Sequence, residues 1–115
     1  MKQYTAQSFW VSKKKGIIKN ETVKTTLDKD EILIKTSYTG ISYGTEKIVF
    51  DSEVPSNQYN FMRAPHQMGE FNSSVKYGYL NVGKIMEGPK NMLNKSVYTM
   101  YPHQSVYVIK KTLAT

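Results

Sequence analysis

Two glycine-punctuated stretches constrain this chain more than any other feature: Gly40-Ile41-Ser42-Tyr43-Gly44-Thr45-Glu46, and Tyr77-Gly78-Tyr79-Leu80-Asn81-Val82-Gly83-Lys84-Ile85-Met86-Glu87-Gly88. Both adjoin β-branched and aromatic residues, the pattern of short strands cut by tight turns. The clearest strand covers Glu31 to Thr39 and ends at Gly40. Alternation places Ile32, Ile34, Thr36 and Tyr38 on one face, with Leu33, Lys35 and Ser37 on the other. Residues 3–11 and 17–26 also read as β-rich, the second as an edge, with Lys13-Lys14-Lys15-Gly16 as the turn between them. Further strands are expected over 77–87, 96–101 and 104–110. After Gly44 the period changes, and 45–50 suits one helical turn with Thr45 as its cap and Glu46 as a first-turn carboxylate. Residues 51–76, with Pro55, Pro65 and Gly69, read as a long loop holding a helical turn near 56–62. The succession predicts one mainly-β domain over residues 1–115, a barrel or sandwich with small helical insertions.

Composition narrows the function classes. A net charge of +7 suggests an anionic partner, yet Arg63 is the only arginine among sixteen basic residues. The arginine fork is what reads guanine edges and clamps phosphates, so the balance disfavours nucleic acid and favours a solvated lysine surface. The absence of cysteine removes disulfides, thiolate nucleophiles and cysteine-ligated metals. No apolar run approaches the ~20 residues that span a bilayer. The start, Met1-Lys2-Gln3-Tyr4-Thr5-Ala6-Gln7, lacks the apolar core of a signal peptide, so a cytoplasmic location and no membrane partner are expected.

Several segments carry a more specific likeness. Glu31 to Ile34, Gly40 to Glu46, Met62-Arg63-Ala64-Pro65, Lys76-Tyr77-Gly78-Tyr79 and Tyr101-Pro102-His103-Gln104 occur in the order found in the N-terminal, GroES-like domain of medium-chain dehydrogenases and reductases. The chain resembles a cysteine-lacking, zinc-independent branch of that family. The resemblance implies a GroES-like, partly open β-barrel with one or two short helices. In zinc-dependent members the first glycine stretch carries a cysteine ligand and the second a Gly-His-Glu; here Ser42, Tyr79 and Leu80 stand at those places. Serine and tyrosine hydroxyls are poor Zn²⁺ ligands, so no metal is expected. The family's proton-relay hydroxyl would fall near Gly44 or Thr45.

Candidate catalytic residues are therefore Ser42, Tyr43, Thr45, Glu46 and Tyr79, with Tyr101 and His103 near the cleft. Tyr79 or Tyr43 could donate a hydrogen bond to a substrate carbonyl. Each also has a plain structural role: Gly40, Gly44, Gly78 and Gly83 as turn and close-packing glycines, and Tyr77 and Tyr79 as packing aromatics on one strand face. His66 and His103, 37 positions apart, read as satisfied or surface histidines, and Arg63 as an ion-pair partner of Glu53 or Glu70. The resemblance also implies NAD(P), held by a Rossmann domain. These residues contain no Gly-x-Gly-x-x-Gly and are expected to bind no cofactor alone. The expected activity is thus that of a split or truncated dehydrogenase half, inactive without a Rossmann polypeptide and exposing apolar surface on one side of the barrel. The competing expectation is a free-standing binding or scaffold module that self-associates through an exposed barrel edge.

Overall fold

The structure is a computed structural model that describes residues 3–24 and 26–115. β1 (Thr5–Ser12) and β2 (Lys15–Thr22) form a hairpin in which Thr5 faces Thr22 and Ser12 faces Lys15. Its loop is only Lys13-Lys14, both with positive φ (48° and 63°). Two-residue hairpin loops demand that backbone because its twist matches the strands, and lysine adopts it at a cost. The turn is held from outside: Lys14 N–H donates to Phe50 O at 2.9 Å, and Lys13 N–H to Ser52 Oγ at 3.1 Å. The expected strand over 17–26 includes Thr25, which lies outside the described residues, as do Met1 and Lys2 of the N-terminal segment.

β3 (Glu31–Thr39) runs as expected and is central to its sheet, paired antiparallel to β6 (Asn81–Glu87) and β8 (Val106–Lys110). Ile32, Leu33 and Ile34 are fully buried because both faces are covered there. Ile32 and Ile34 join Ile85, Tyr107 and Ile109, whereas Leu33 points the other way into Ala6, Val23 and Val106. The alternation fails beyond Thr36. A register irregularity between Thr36 and Tyr38 breaks the period, and Tyr38 is exposed rather than sharing the buried face.

Eight residues form α1 (Tyr43–Phe50), two turns rather than one. A 3₁₀ turn (Ser56–Gln58) leads into the single turn α2 (Tyr59–Met62), as the sequence predicts. The stretch 51–76 is not all loop: β4 (Met68–Gly69) pairs with β5 (Val75–Lys76), and β5 reaches β1 through Val11 and Val75. Asn72 orders it, its side-chain amide exchanging hydrogen bonds with both backbone groups of Val54 (3.0 and 2.9 Å). Residues 77–80 precede β6 as irregular chain, so the expected strand over 77–87 begins only at Asn81. β7 (Ser96–Thr99) completes the second sheet.

The architecture is mainly β, with two antiparallel four-stranded sheets in the orders β2-β1-β5-β4 and β7-β6-β3-β8. Among the described residues the sheets do not close into a barrel. They meet where residues 103–105 pass between them. Phe9 N–H donates to His103 O (2.9 Å), Ser105 N–H to Gln7 O (2.8 Å), and Thr36 N–H to Ser105 O (2.8 Å). A third cluster, Val11, Val49, Val54, Phe71, Val75 and Tyr77, fills the space beneath α1. Among the described residues, no helix is long and apolar enough to cross a membrane.

Candidate functional site

Helix α1 divides the candidate residues by its own periodicity. Tyr43, Glu46, Lys47 and Phe50 fall at i, i+3, i+4 and i+7 and line a cleft of about 550 Å³ with Phe9, Val11 and Ile41. Gly44, Thr45 and Ile48 face the opposite side, onto a cleft of about 540 Å³ shared with Phe61, Met62, Tyr79 and Met100. Val49 points inward and is buried. Tyr77 borders both clefts.

On the second side the two glycine stretches meet. Tyr79 O–H donates to Ser42 Oγ at 2.8 Å and lies 3.2 Å from Thr45 Oγ1; Ser42 Oγ is 3.4 Å from Thr45 Oγ1. Ser42 is the residue before the helix and has the extended backbone of an N-cap, but its side chain caps nothing. Thr45, expected as the cap, instead sits inside the first turn. The cap position is Ser42, whose hydroxyl is drawn away to Tyr79. Glu46 compensates by reaching back, and Ser42 N–H donates to Glu46 Oε2 at 2.5 Å. That carboxylate belongs in the first turn as predicted, where the helix dipole favours it.

Glu46 has a second partner that its neighbours in sequence do not reveal. Its Oε1 is 2.5 Å from His103 Nε2, and His103 Nδ1 is 2.6 Å from Thr39 Oγ1. Both side chains are mostly enclosed, 12% exposed for Glu46 and 14% for His103, and both border the first cleft with Thr39. His103 comes from the segment joining the sheets. Its ring fits only because residue 78 is glycine, since a Cβ there would lie 2.9 Å from His103 Cδ2 and Nε2. Gly78 also has φ of +153°, a backbone that side chains rarely adopt. Gly83 is likewise a close-packing glycine, its missing Cβ leaving room for Ile34 and Lys35 O at 2.6 Å. Gly44 contradicts that reading: it lies in α1 with open space for 4 Å around the place a Cβ would take, so neither a turn nor a close contact requires it.

The predicted residues thus split into two groups. Ser42, Thr45 and Tyr79 converge, and Glu46 touches Ser42 while facing the other cleft. Tyr43 stands apart, 80% exposed on the far rim. Tyr101 is not at either cleft; it stacks on Tyr107 (centroids 3.9 Å apart) in the second sheet's core, where burial pushes its phenol up to about 12. Tyr77 packs against Phe71 and Tyr79, donates to Met62 O at 2.7 Å, and is pushed up to about 12, chiefly by burial, with Tyr79 and Glu46 adding to it. Tyr77 and Tyr79 do not share a strand face, since neither lies in a strand. His66 is exposed, tilted over Tyr101, and Arg63 pairs with Glu70 at 3.6 Å as expected. Thr39 and the role of His103 escape sequence reasoning; the one available signal is Gly78 beside Tyr79, a glycine whose neighbour in space is a ring.

Among the described residues, no three His, Asp or Glu side chains gather as a metal-binding group. The start of α1 follows a strand and a glycine, as a pyrophosphate-binding turn would, but the Glu46 carboxylate already occupies the Ser42 N–H. A phosphate brought there would meet a like charge. The start of α1 is therefore a poor seat for a pyrophosphate. Comparison of the chain with protein-family models, with curated proteins and with solved structures finds no match.

Proposed function

We propose that this chain is the substrate-side, GroES-like domain of a zinc-independent, NAD(P)-linked medium-chain dehydrogenase or reductase. The observation that carries the reading is the 2.8 Å bond from Tyr79 O–H to Ser42 Oγ. The two positions at which the resembled family places metal ligands come together in space, with hydroxyls in place of ligands. Tyr79 is the donor of the group and opens onto a cleft whose wall includes Phe61, Met62 and Met100. A ketone or aldehyde with an apolar body fits that wall. Its carbonyl oxygen takes the Tyr79 proton donor from Ser42, and Ser42 and Thr45 hold the phenol in place.

The nucleotide belongs to a Rossmann unit that these 115 residues do not supply, and no step through it is assigned to them. The test pairs this chain with a Rossmann-type polypeptide from a neighbouring reading frame. Calorimetry should show association, and the mixture should consume NAD(P)H with a panel of ketones and aldehydes. Tyr79→Phe should retain association and lower turnover by roughly 10²-fold, the usual worth of one positioned donor. Neither association nor turnover in the mixture would sink the proposal.

A further inference from the structure

The strands that end the two sheets are unequal. β4 has two residues, β7 four and β8 five, and β7 already meets Thr115, which exchanges backbone hydrogen bonds with Tyr98 at 2.9 Å. β2 has eight, and among the described residues no strand pairs with its outer edge. It also carries exposed isoleucine on both faces, Ile17 and Ile18. A long open edge of this kind invites another strand. We infer that β2 pairs antiparallel with β2 of a second copy of this chain, with the two-fold axis at Ile18, joining two four-stranded sheets into one of eight.

The register follows from the hairpin. Ser12 and Lys15 close a two-residue loop, so they form a hydrogen-bonded pair, and such pairs alternate from there. Lys15, Ile17, Lys19 and Glu21 therefore spend their backbone groups on β1, whereas Gly16, Ile18, Asn20 and Thr22 turn N–H and C=O toward the open edge. A second strand bonds only where outward residues meet outward residues. Centred on Ile18, Ile18 meets itself and Gly16 meets Asn20 of the second copy, so the bonds form.

The side chains favour the same register. Lys15 comes opposite Glu21 of the second copy, twice by symmetry, and Glu21 keeps a quarter of its side chain exposed while bound to Lys76. Ile18 neighbours Phe9 across the hairpin, so the two copies line up Phe9, Ile18, Ile18 and Phe9 in one apolar row. Centring on Ile17 would set Lys15 against Lys19, and centring on Lys19 would set that lysine against itself. Registers centred farther along run off the end of the strand. Lysine often guards an open edge, but Lys19 is drawn back, its ammonium 4.1 Å from the centre of the Trp10 ring.

The inference does not rest on the proposed reductase activity, since no residue of β2 lines either cleft. Sedimentation equilibrium should show a monomer–dimer exchange with a micromolar dissociation constant, as suits a small interface. Ile18→Pro removes only an outward N–H, so it should leave the fold intact and abolish the dimer. Lys15→Glu should weaken it about tenfold by setting like charges opposite each other. The chain has no cysteine, so single-cysteine variants report the register. Under mild oxidation Ile18→Cys should cross-link to itself, whereas Ile17→Cys should cross-link to Lys19→Cys in a mixture and not to itself. If Ile18→Pro fails to fold, the cysteine pattern decides. A monomer at every concentration up to millimolar, a folded Ile18→Pro that still dimerises, or self-cross-linking of Ile17→Cys in preference to Ile18→Cys would overturn the inference.

Discussion

Gly78 is the residue on which the geometry of the site turns. Its backbone lies at φ +153°, and the space a Cβ would fill belongs to the His103 ring. Substituting it therefore acts twice, straining its own backbone and pushing the imidazole away from Glu46. Gly78→Ala should cost about 2 kcal/mol. The Glu46 contact should protect a His103 ring N–H from exchange in the wild type, and that resonance should be lost in the variant. Urea titration measures the first effect and proton NMR the second; a variant with unchanged midpoint and intact resonance would show that the ring has room to spare. The presence of a special glycine beside Tyr79 is legible in the sequence. Its partner is not, because residues 78 and 103 are brought together only by the junction of the two sheets.

At the scale of the element, α1 does most of the sorting. Its residues 43, 46, 47 and 50 face one cleft and 44, 45 and 48 the other, so a helical period is enough to separate Tyr43 and Glu46 from Thr45. That division is readable from the sequence once the helix is extended to its full eight residues. The start of the helix is what misleads, because Thr45 has the chemistry of a cap and Ser42 has the position. Gly44 is a helix residue with open space around its Cα. Gly44→Ala should raise the unfolding free energy by roughly 0.5–1 kcal/mol by restricting the unfolded chain and removing a weak helix former. Thermal or denaturant unfolding checks this. A loss of stability would mean that the second cleft needs the bare backbone.

Across the whole molecule, the two sheets are tied at residues 103–105, and a buried ion cluster reinforces the tie. Lys76 of β5 is only 1% exposed; its Nζ reaches Glu21 Oε2 at 3.1 Å and Gln104 Oε1 at 2.5 Å. Glu21 also accepts the Ser8 hydroxyl. Burial alone would raise the Glu21 pKa, but Ser8, Lys76 and Trp10 together outweigh it and hold the carboxyl below its ordinary range. A carboxylate depressed in the folded state contributes its stability above its unfolded pKa and loses it as pH falls through the folded one. Glu21→Gln should therefore cost about 2 kcal/mol at neutral pH, leaving a buried ammonium without its counter-charge. The gap to the wild type should narrow as pH is lowered through and below the ordinary carboxylate range. Denaturant midpoints of both proteins across that range test it, and a gap independent of pH would remove Glu21 as the source.

What the sequence determines by itself is local: strands where β-branched residues cluster, a helix where the period changes, an edge at β2, and the absence of any thiol chemistry. Those follow from backbone preference and residue type, which act over a few neighbours. The tertiary structure alone decided which hydroxyls meet, that Glu46 answers to His103 and His103 to Thr39, that Lys76 is interior, and that Tyr38 turns outward. Each of these depends on contacts between residues far apart in the chain or on a register irregularity between strands, and neither leaves a repeating mark on the residues that take part. The two glycine stretches announce a meeting place; the junction of the sheets chooses who meets there.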